Sequence, residues 1–594
     1  MGRFHQRLSA AAMGILCMLE AVAEGHPGRV PKPPNIVLII AEDLSPRVGA
    51  FGDRVAETPN IDALARLGIK YTQVFSASGV CAPNRSALIT GVYPQTLGTQ
   101  HMRTSTLGYE AVPPPQVKAF PELLRRAGYV TGNTAKTDYQ FGEPATVWDL
   151  NHGSFAQPPD LALWRRLPKD RPFFAMINLM STHESRLVTS ETRGQGPLGP
   201  MVTRLAAARA AQVRPVTNPL SIEVPEYYPD TPAVRQSMAQ HYDNIHFMDT
   251  QVGQVMSNLE ADDLLHNTIV LWTTDHGDGL PRAKRSVYDS GLHIPLIVRF
   301  PHAETEERRD SNGVNWQSSL KGGPATGRAA EHEAGQEDSR LISVVDLAPY
   351  LLNLAGIEPP NFIQGRSFLD PQEHRQYVFA GRDRMDHVAD HVRAVRDKRY
   401  KYIRNYRPEL AYFRPLVFRD MFPVMQALWH GHKAGTLSAA QDFYFTAPRP
   451  PEELYDLVAD PKELVNVAAQ AEHQDTLMRM RDALNQWQAT VGDPSAAGEA
   501  AMIEAMWPGG EQPVTQAPEI VLDEHGLTMR SKTAGASITY RFANDLRGWQ
   551  LYSGPLIWPV GAQTRQLEVK AIRYGYRESA VIGYPNQTKA TASK

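Results

Sequence analysis

The sequence predicts an α/β protein: a mostly parallel sheet sandwiched by helices, then a small α+β subdomain and an appended all-β module. Three observations predict it. Continuous apolar runs rich in β-branched residues recur through the first half of the chain. Helical patterns lie between those runs. Short β segments with turn signals take over near the C-terminus.

The chain opens on a basic start, Arg3 and Arg7, followed by an apolar run from Leu8 to Leu19 and an Ala21-Val22-Ala23 cleavage pattern. This reads as an export signal over residues 1–23, placing the mature protein in the periplasm or outside the cell. The run is too short to span a bilayer, and no later segment has the roughly 18 continuous apolar residues a membrane helix needs.

The first strand is expected at Asn35–Ala41 (NIVLIIA), ending in Glu42-Asp43. Thr58-Pro59 opens a short helix with a threonine cap and proline in the first turn. Further strands are expected at Pro172–Leu179, Thr268–Thr274 and Ile294–Phe300, with helices over Ala233–Leu264 and Ser343–Ala355. Residues 302–339 lack apolar periodicity and read as a solvated loop insertion. These elements make a catalytic domain over 33–374. A second unit, 375–490, carries strand-like segments at 393–396 and 400–403 and a terminal helix. Residues 491–516 are rich in Ala, Gly, Pro and Glu and read as a linker. Residues 517–585 form the β module, with strands at 537–541 and 567–571.

Composition narrows the function. At 594 residues the chain exceeds one ordinary domain, and 42% hydrophobic with 21% charged residues suits a globular protein. A net charge of −3 gives no global attraction to nucleic acid or an anionic membrane. Only two cysteines occur, and Cys17 leaves with the signal. Cys81 then has no internal disulfide partner and is either an inert core thiol or a chemically special one.

The surroundings of Cys81 decide for the second. Cys81-Ala82-Pro83-Asn84-Arg85 followed by Thr90-Gly91 matches the C-x-P-x-R signature with its Thr-Gly. On these residues the chain resembles the type I sulfatases of the alkaline phosphatase superfamily. The resemblance implies that Cys81 is oxidised by a maturation enzyme to formylglycine, an aldehyde. Hydrated, that carbon bears two hydroxyls: one attacks sulfur and the other expels sulfate by elimination, so covalent catalysis is split into two easier steps. The segment after Cys81 reads as helical, which sets the nucleophile at a helix N-terminus that favours an anion.

Glu42-Asp43 and Asp275-His276 each close a buried strand, where ligands of open α/β sheets gather. Three carboxylates and an imidazole suit one hard divalent cation such as Ca²⁺, with Cys81 as a further ligand. The family commonly has Asp-Asp at the first pair, so Glu42 is a departure. The resemblance also implies that Lys284, Lys136 and Arg85 orient the sulfate and that His183 protonates the leaving group. Many members continue Lys-Trp-His where this chain has Lys136-Thr137-Asp138, so that histidine is absent here.

AspLeuAlaPro (346–349), GlnGlyArgSer (364–367) and GluLeuTyrAspLeu (453–457) extend the resemblance over roughly 33–490. The segments 42–46, 101–104, 136–139 and 382–386 look like the bacterial branch related to heparan N-sulfatases. They nominate His101, Arg103, Arg382 and Arg384 for binding a sulfated sugar substrate. ThrAlaGlyAlaSerIleThrTyr (533–540) and AlaIleArgTyrGlyTyr (571–576) resemble the C-terminal β domain of chitobiases and hexosaminidases. Two other readings stay compatible: a phosphoester or phosphonate hydrolase of the same superfamily, and a non-catalytic carbohydrate-binding protein with an unmodified cysteine.

Overall fold

The structure, a computed structural model, describes residues 33–153, 157–188, 199–301, 334–524, 526–543, 548–557 and 566–584. The expected signal peptide lies outside the described residues, as does most of the expected loop insertion. No helix among the described residues is long and apolar enough to cross a membrane.

The central sheet is built from β1 (Asn35–Ala41), β2 (Ile69–Phe75), β3 (Val130–Thr134), β4 (Leu150–His152), β5 (Phe173–Leu179), β6 (Thr268–Thr274), β7 (His293–Arg299), β8 (Glu337–Asp338) and β9 (Ile342–Ser343). Its order is β4-β3-β5-β1-β6-β7-β2-β8, with β9 also paired to β2. Only β7 runs against the rest, so the sheet is mostly parallel as expected. β1 shows why: all seven of its residues are buried, and alternate residues feed two different cores. Val37 and Ile39 join one apolar cluster, Ile36, Leu38 and Ile40 the other. Each fully buried aliphatic side chain here stabilises by about 2 kcal/mol. A strand buried on both faces leaves no polar side to write in the sequence.

The helices cover those faces. α1 (Pro59–Arg66) and α4 (Pro232–Ala261) pack on the first; α2 (Cys81–Thr90), α3 (Phe120–Arg126) and α5 (Leu347–Leu354) on the second. α4 starts where Thr231 accepts a hydrogen bond from Val234 N, with Pro232 in the first turn. Glu337–Asp338, inside the expected loop insertion, instead pairs with Lys70–Tyr71 at the sheet edge.

A second sheet, antiparallel, follows: β10 (Val378–Arg382), β11 (Val392–Arg396), β12 (Tyr400–Asn405) and β13 (Glu452–Asp456). It is backed by α7 (Gln474–Val491), and α6 (Pro423–Ala434) precedes β13. The β module carries the pair β14 (Glu519–Asp523) and β15 (Gly526–Arg530), then β16 (Ser537–Phe542), β17 (Gln550–Leu551), β18 (Leu567–Ile572) and β19 (Ile582–Tyr584).

The expected linker is a correction. Residues 491–516 contain a helix, α8 (Glu499–Met506), whose Glu499, Met502 and Met506 bond to Tyr109, Gln100 and Val112. A high Ala and Glu content describes a helix as well as a linker, and here tertiary contacts select the helix.

Candidate active site

Four neighbouring strands, in the order β3-β5-β1-β6, deliver the polar residues in one row. Lys136 follows β3, His183 follows β5, Glu42-Asp43 follow β1 and Asp275-His276 follow β6. The register sets Ala41 beside Leu179 and Thr274, so the last three groups leave the sheet at one level. Facing them, Cys81 is the first residue of α2. Asn84 braces that helix: its amide donates to the Asp275 carbonyl and accepts from Ala77 N at 2.8 Å. Gly79 is required just before the cysteine, because a Cβ there would lie 2.2 Å from the Ser286 carbonyl oxygen.

Ligand atoms of Asp43, Cys81, Asp275 and His276 all lie within 4.8 Å of one another, and Glu42, Asp43, Cys81 and His183 form a second such group. His276 Nε2 is 3.1 Å from Asp43 Oδ1 and 3.4 Å from the Cys81 sulfur. Asp275 Oδ1 accepts from Asp43 N at 3.0 Å, while its Oδ2 is buried without a hydrogen-bond partner. Burial first, then the charge of Glu42, raises the Asp275 carboxyl above its usual range. Burial opposes charge on His276, yet Asp275, Asp43 and Cys81 raise it well above its ordinary value. The carboxylates that raise His276 and the Asp275 oxygen left without a hydrogen-bond partner together make a buried anionic donor set that a hard cation would satisfy. The residues therefore fit a divalent metal.

Cations line the other side. Glu42 is fully buried; Arg85 Nη2 donates to its Oε1 at 2.5 Å and Lys136 Nζ to its Oε2. Burial raises the Glu42 carboxyl, but Arg85 and Lys136 outweigh it and hold it well below the carboxylate range. Lys284 Nζ lies 2.6 Å from Asp43 Oδ2 and 3.1 Å from Glu184 Oε1. Burial pulls His183 down to about 3, opposed by the charge of Asp43 and helped by Lys284 and Lys136. Its Nδ1 accepts from Ser185 N at 3.2 Å, which leaves the proton of the neutral ring on Nε2.

A cavity of about 710 Å³ opens beside this cluster. Lys136, His183 and Lys284 line it. Arg85 does not: it is 1% exposed and bonded to Glu42 and, at 2.6 Å, to Asn178 Oδ1. Of the four expected sugar contacts, only Arg103 lines the cavity, 3.3 Å from Asp138. Arg382 is buried against Asp390 at 3.4 Å and the Tyr412 ring. Arg384 is bound to Glu499, and His101 accepts from Arg384 N at 3.3 Å. Those three are buried and held by fixed partners away from the cavity lining, as buried guanidinium and imidazole groups require.

Sequence reading missed Asp386, Glu143 and Arg285, which also line the cavity. Arg285 makes a two-pronged ion pair with Glu184 at 2.7 and 2.8 Å. Its only sequence signal was adjacency to Lys284, as Glu184's was adjacency to His183.

A family model described as Sulfatase matches residues 34–357 of the 594. The chain belongs to the sulfatase family. An "ulvan-active sulfatase" of Formosa agariphila is 37% identical over 586 residues, covering 93% of this chain and 91% of that one. The human N-sulphoglucosamine sulphohydrolase is 24% identical, covering 80% and 93%. Among solved structures, one described as a putative sulfatase from Bacteroides thetaiotaomicron shares the fold at TM-score 0.55 and 19% identity, over 78% of this sulfatase and 94% of that chain. The enzyme is thus a sulfuric ester hydrolase of type I, and the clustered residues above are its candidate machinery.

Proposed function

We propose that this sulfatase removes sulfate from sulfated carbohydrate outside the cytoplasm, through residue 81 converted to formylglycine by a maturation enzyme and through one divalent cation, Ca²⁺. The observation that carries this is the convergence of four strand ends, with their carboxylates and lysines, on Cys81 at a helix N-terminus. The Formosa relative described as ulvan-active and the human N-sulphoglucosamine sulphohydrolase support a sulfated sugar as substrate. The basic start, apolar run and cleavage pattern support export to the periplasm or medium.

Asp43, Asp275 and His276 would hold the cation, with Glu42 and residue 81 at its edge. When bound, the ion offsets charge on the sulfate and polarises it, and the aldehyde hydrate supplies the attacking and expelling hydroxyls. The chain's own residues do the rest. Lys136 and Lys284 face the cavity and screen the sulfate oxygens, which spread their charge and suit convergent cations. Arg85 acts one step back: with Asn178 it fixes Glu42, and Asn178 Nδ2 also donates to the Lys136 carbonyl at 3.1 Å. His183 lines the cavity; as the imidazolium, which the charge of a bound sulfate favours, it would give its Nε2 proton to the leaving oxygen as the S–O bond breaks and return to the neutral ring that burial favours.

A panel of N-sulfated and O-sulfated oligosaccharides, with aryl sulfate and aryl phosphate, tests the reading. Turnover of at least one sulfated sugar, well above aryl phosphate, is expected. Turnover of simple alkyl sulfates or aryl phosphate alone would overturn it.

A further inference from the structure

Next to the loops that line the cavity, one ion pair ties two of them together. Arg384 Nε and Nη2 each lie 2.7 Å from a Glu499 oxygen. The rest of that guanidinium holds main-chain carbonyls: Met102 O at 3.0 Å, Asp386 O, and Arg103 O at 3.5 Å. Met102 N returns a bond to the Arg384 carbonyl at 2.7 Å. Glu499 Oε1 also accepts from Tyr109 OH at 2.8 Å. Residues 101–109 and 382–386 are thereby joined, and Met102, Arg103 and Asp386 line the cavity.

Two of those residues are strained. Arg103 has φ 57° and Asp386 φ 51°, the left-handed region in which a Cβ crowds the following carbonyl oxygen. Such conformations persist only where the surroundings over-determine them. Here the carbonyls of both strained residues are the ones Arg384 holds. Arg384 in turn is held by Glu499, whose side chain is only 15% exposed.

We infer that Glu499 is a positioning residue for substrate selection: through Arg384 it fixes the strained backbone of Arg103 and Asp386, and so sets how tightly the sugar around the scissile sulfate is held. The inference rests on the sugar-sulfate reading. Arg103 and Asp386 line the cavity, Arg103 3.3 Å from Asp138 and Asp386 3.9 Å from Arg285, whereas Glu499 is not among the residues that line it. The helix that carries Glu499 belongs to the segment after the second sheet, so that segment completes the binding wall.

The test uses the full-length enzyme with Glu499→Ala and the near-isosteric Glu499→Gln. On a sulfated oligosaccharide that the wild type hydrolyses, Glu499→Ala should raise KM about tenfold or more with kcat within about threefold, and Glu499→Gln should fall between it and wild type. Turnover of 4-nitrophenyl sulfate, which offers no sugar for Arg103 and Asp386 to hold, should stay within about threefold. Without substrate, amide exchange over residues 102–108 and 384–388 should quicken in both variants. Equal losses on both substrates would reduce Glu499 to general stability and overturn the inference. Unchanged sugar KM, or unchanged exchange in those segments, would overturn it too. Should the wild type hydrolyse no sulfated sugar, the proposed substrate falls, and the exchange measurement alone still decides whether Glu499 holds the wall.

Discussion

Glu122 offers the sharpest stability test, because a single buried carboxylate docks the β module onto the catalytic domain. It lies in α3, is fully buried, and accepts from Ser537 Oγ at 2.5 Å, Tyr574 OH at 2.7 Å and Arg126 Nη2 at 2.9 Å. Burial raises its carboxyl, but Lys118, Arg126 and Ser537 together bring it down from 4.5 to about 2. That shift corresponds to roughly 3 kcal/mol of stability. Glu122→Gln keeps the shape, removes the charge and turns an amide N–H₂ toward one hydroxyl, so it should cost about 2–4 kcal/mol at neutral pH. The sign follows from a depressed carboxyl. Its contribution is present above pH 4.5 and is lost as the pH falls toward 2, so the gap between wild type and variant should close over that window. Chemical denaturation at a series of pH values, read with amide exchange in β18, measures this. A gap below about 0.5 kcal/mol at neutral pH, or one that does not shrink on acidification, would refute the reasoning.

Exhaustive chelation should abolish turnover and lower the thermal midpoint, with Ca²⁺ restoring both; unchanged activity and midpoint would remove the metal from the account. His183→Ala should cost about 10²–10⁴-fold on a sugar sulfate and far less on an aryl sulfate with an acidic leaving group. Equal losses would take the proton from His183. Arg382→Ala should destabilise by about 1–3 kcal/mol, since it empties the space over the Tyr412 ring and removes one cation from buried Asp390, which keeps Arg449. A raised KM for sugars with full stability would return Arg382 to the binding wall.

What the sequence shows depends on where polar groups go. β1 and β6 each hold an apolar stretch, IVLIIA and IVLW, followed closely by acids, so both the strands and the ends that carry Glu42, Asp43, Asp275 and His276 were legible. β3, reading VTGNT, is just as buried, yet its polar side chains hide it from hydropathy. They are satisfied inside: Asn133 Nδ2 donates to Asn151 at 2.8 Å and Thr131 Oγ1 to the Val147 carbonyl at 3.1 Å. β2 carries Lys70 and Gln73 on a half-buried strand and gave no clean run.

In the site, motif spacing pointed to Cys81, Lys136, His183 and Lys284; the first three lie at a helix start or shortly after a strand end, and Lys284 lies in the loop between β6 and β7. It could not separate Arg103, which faces the cavity, from Arg382 and Arg384, which hold the wall. The three look alike in sequence, and only tertiary partners divide a binding arginine from a structural one. Asp386, Glu143 and Arg285 were silent for the same reason: their loops meet only after the sheet is assembled.

The central claim is that residue 81 acts as an aldehyde, and the mass of its peptide tests it most directly. Purified, active enzyme should give the Cys81–Arg85 segment with an aldehyde in place of the thiol. Specific activity should follow the converted fraction, and Cys81→Ala should be folded but inert. Active enzyme whose peptide carries only the unmodified thiol would contradict the account.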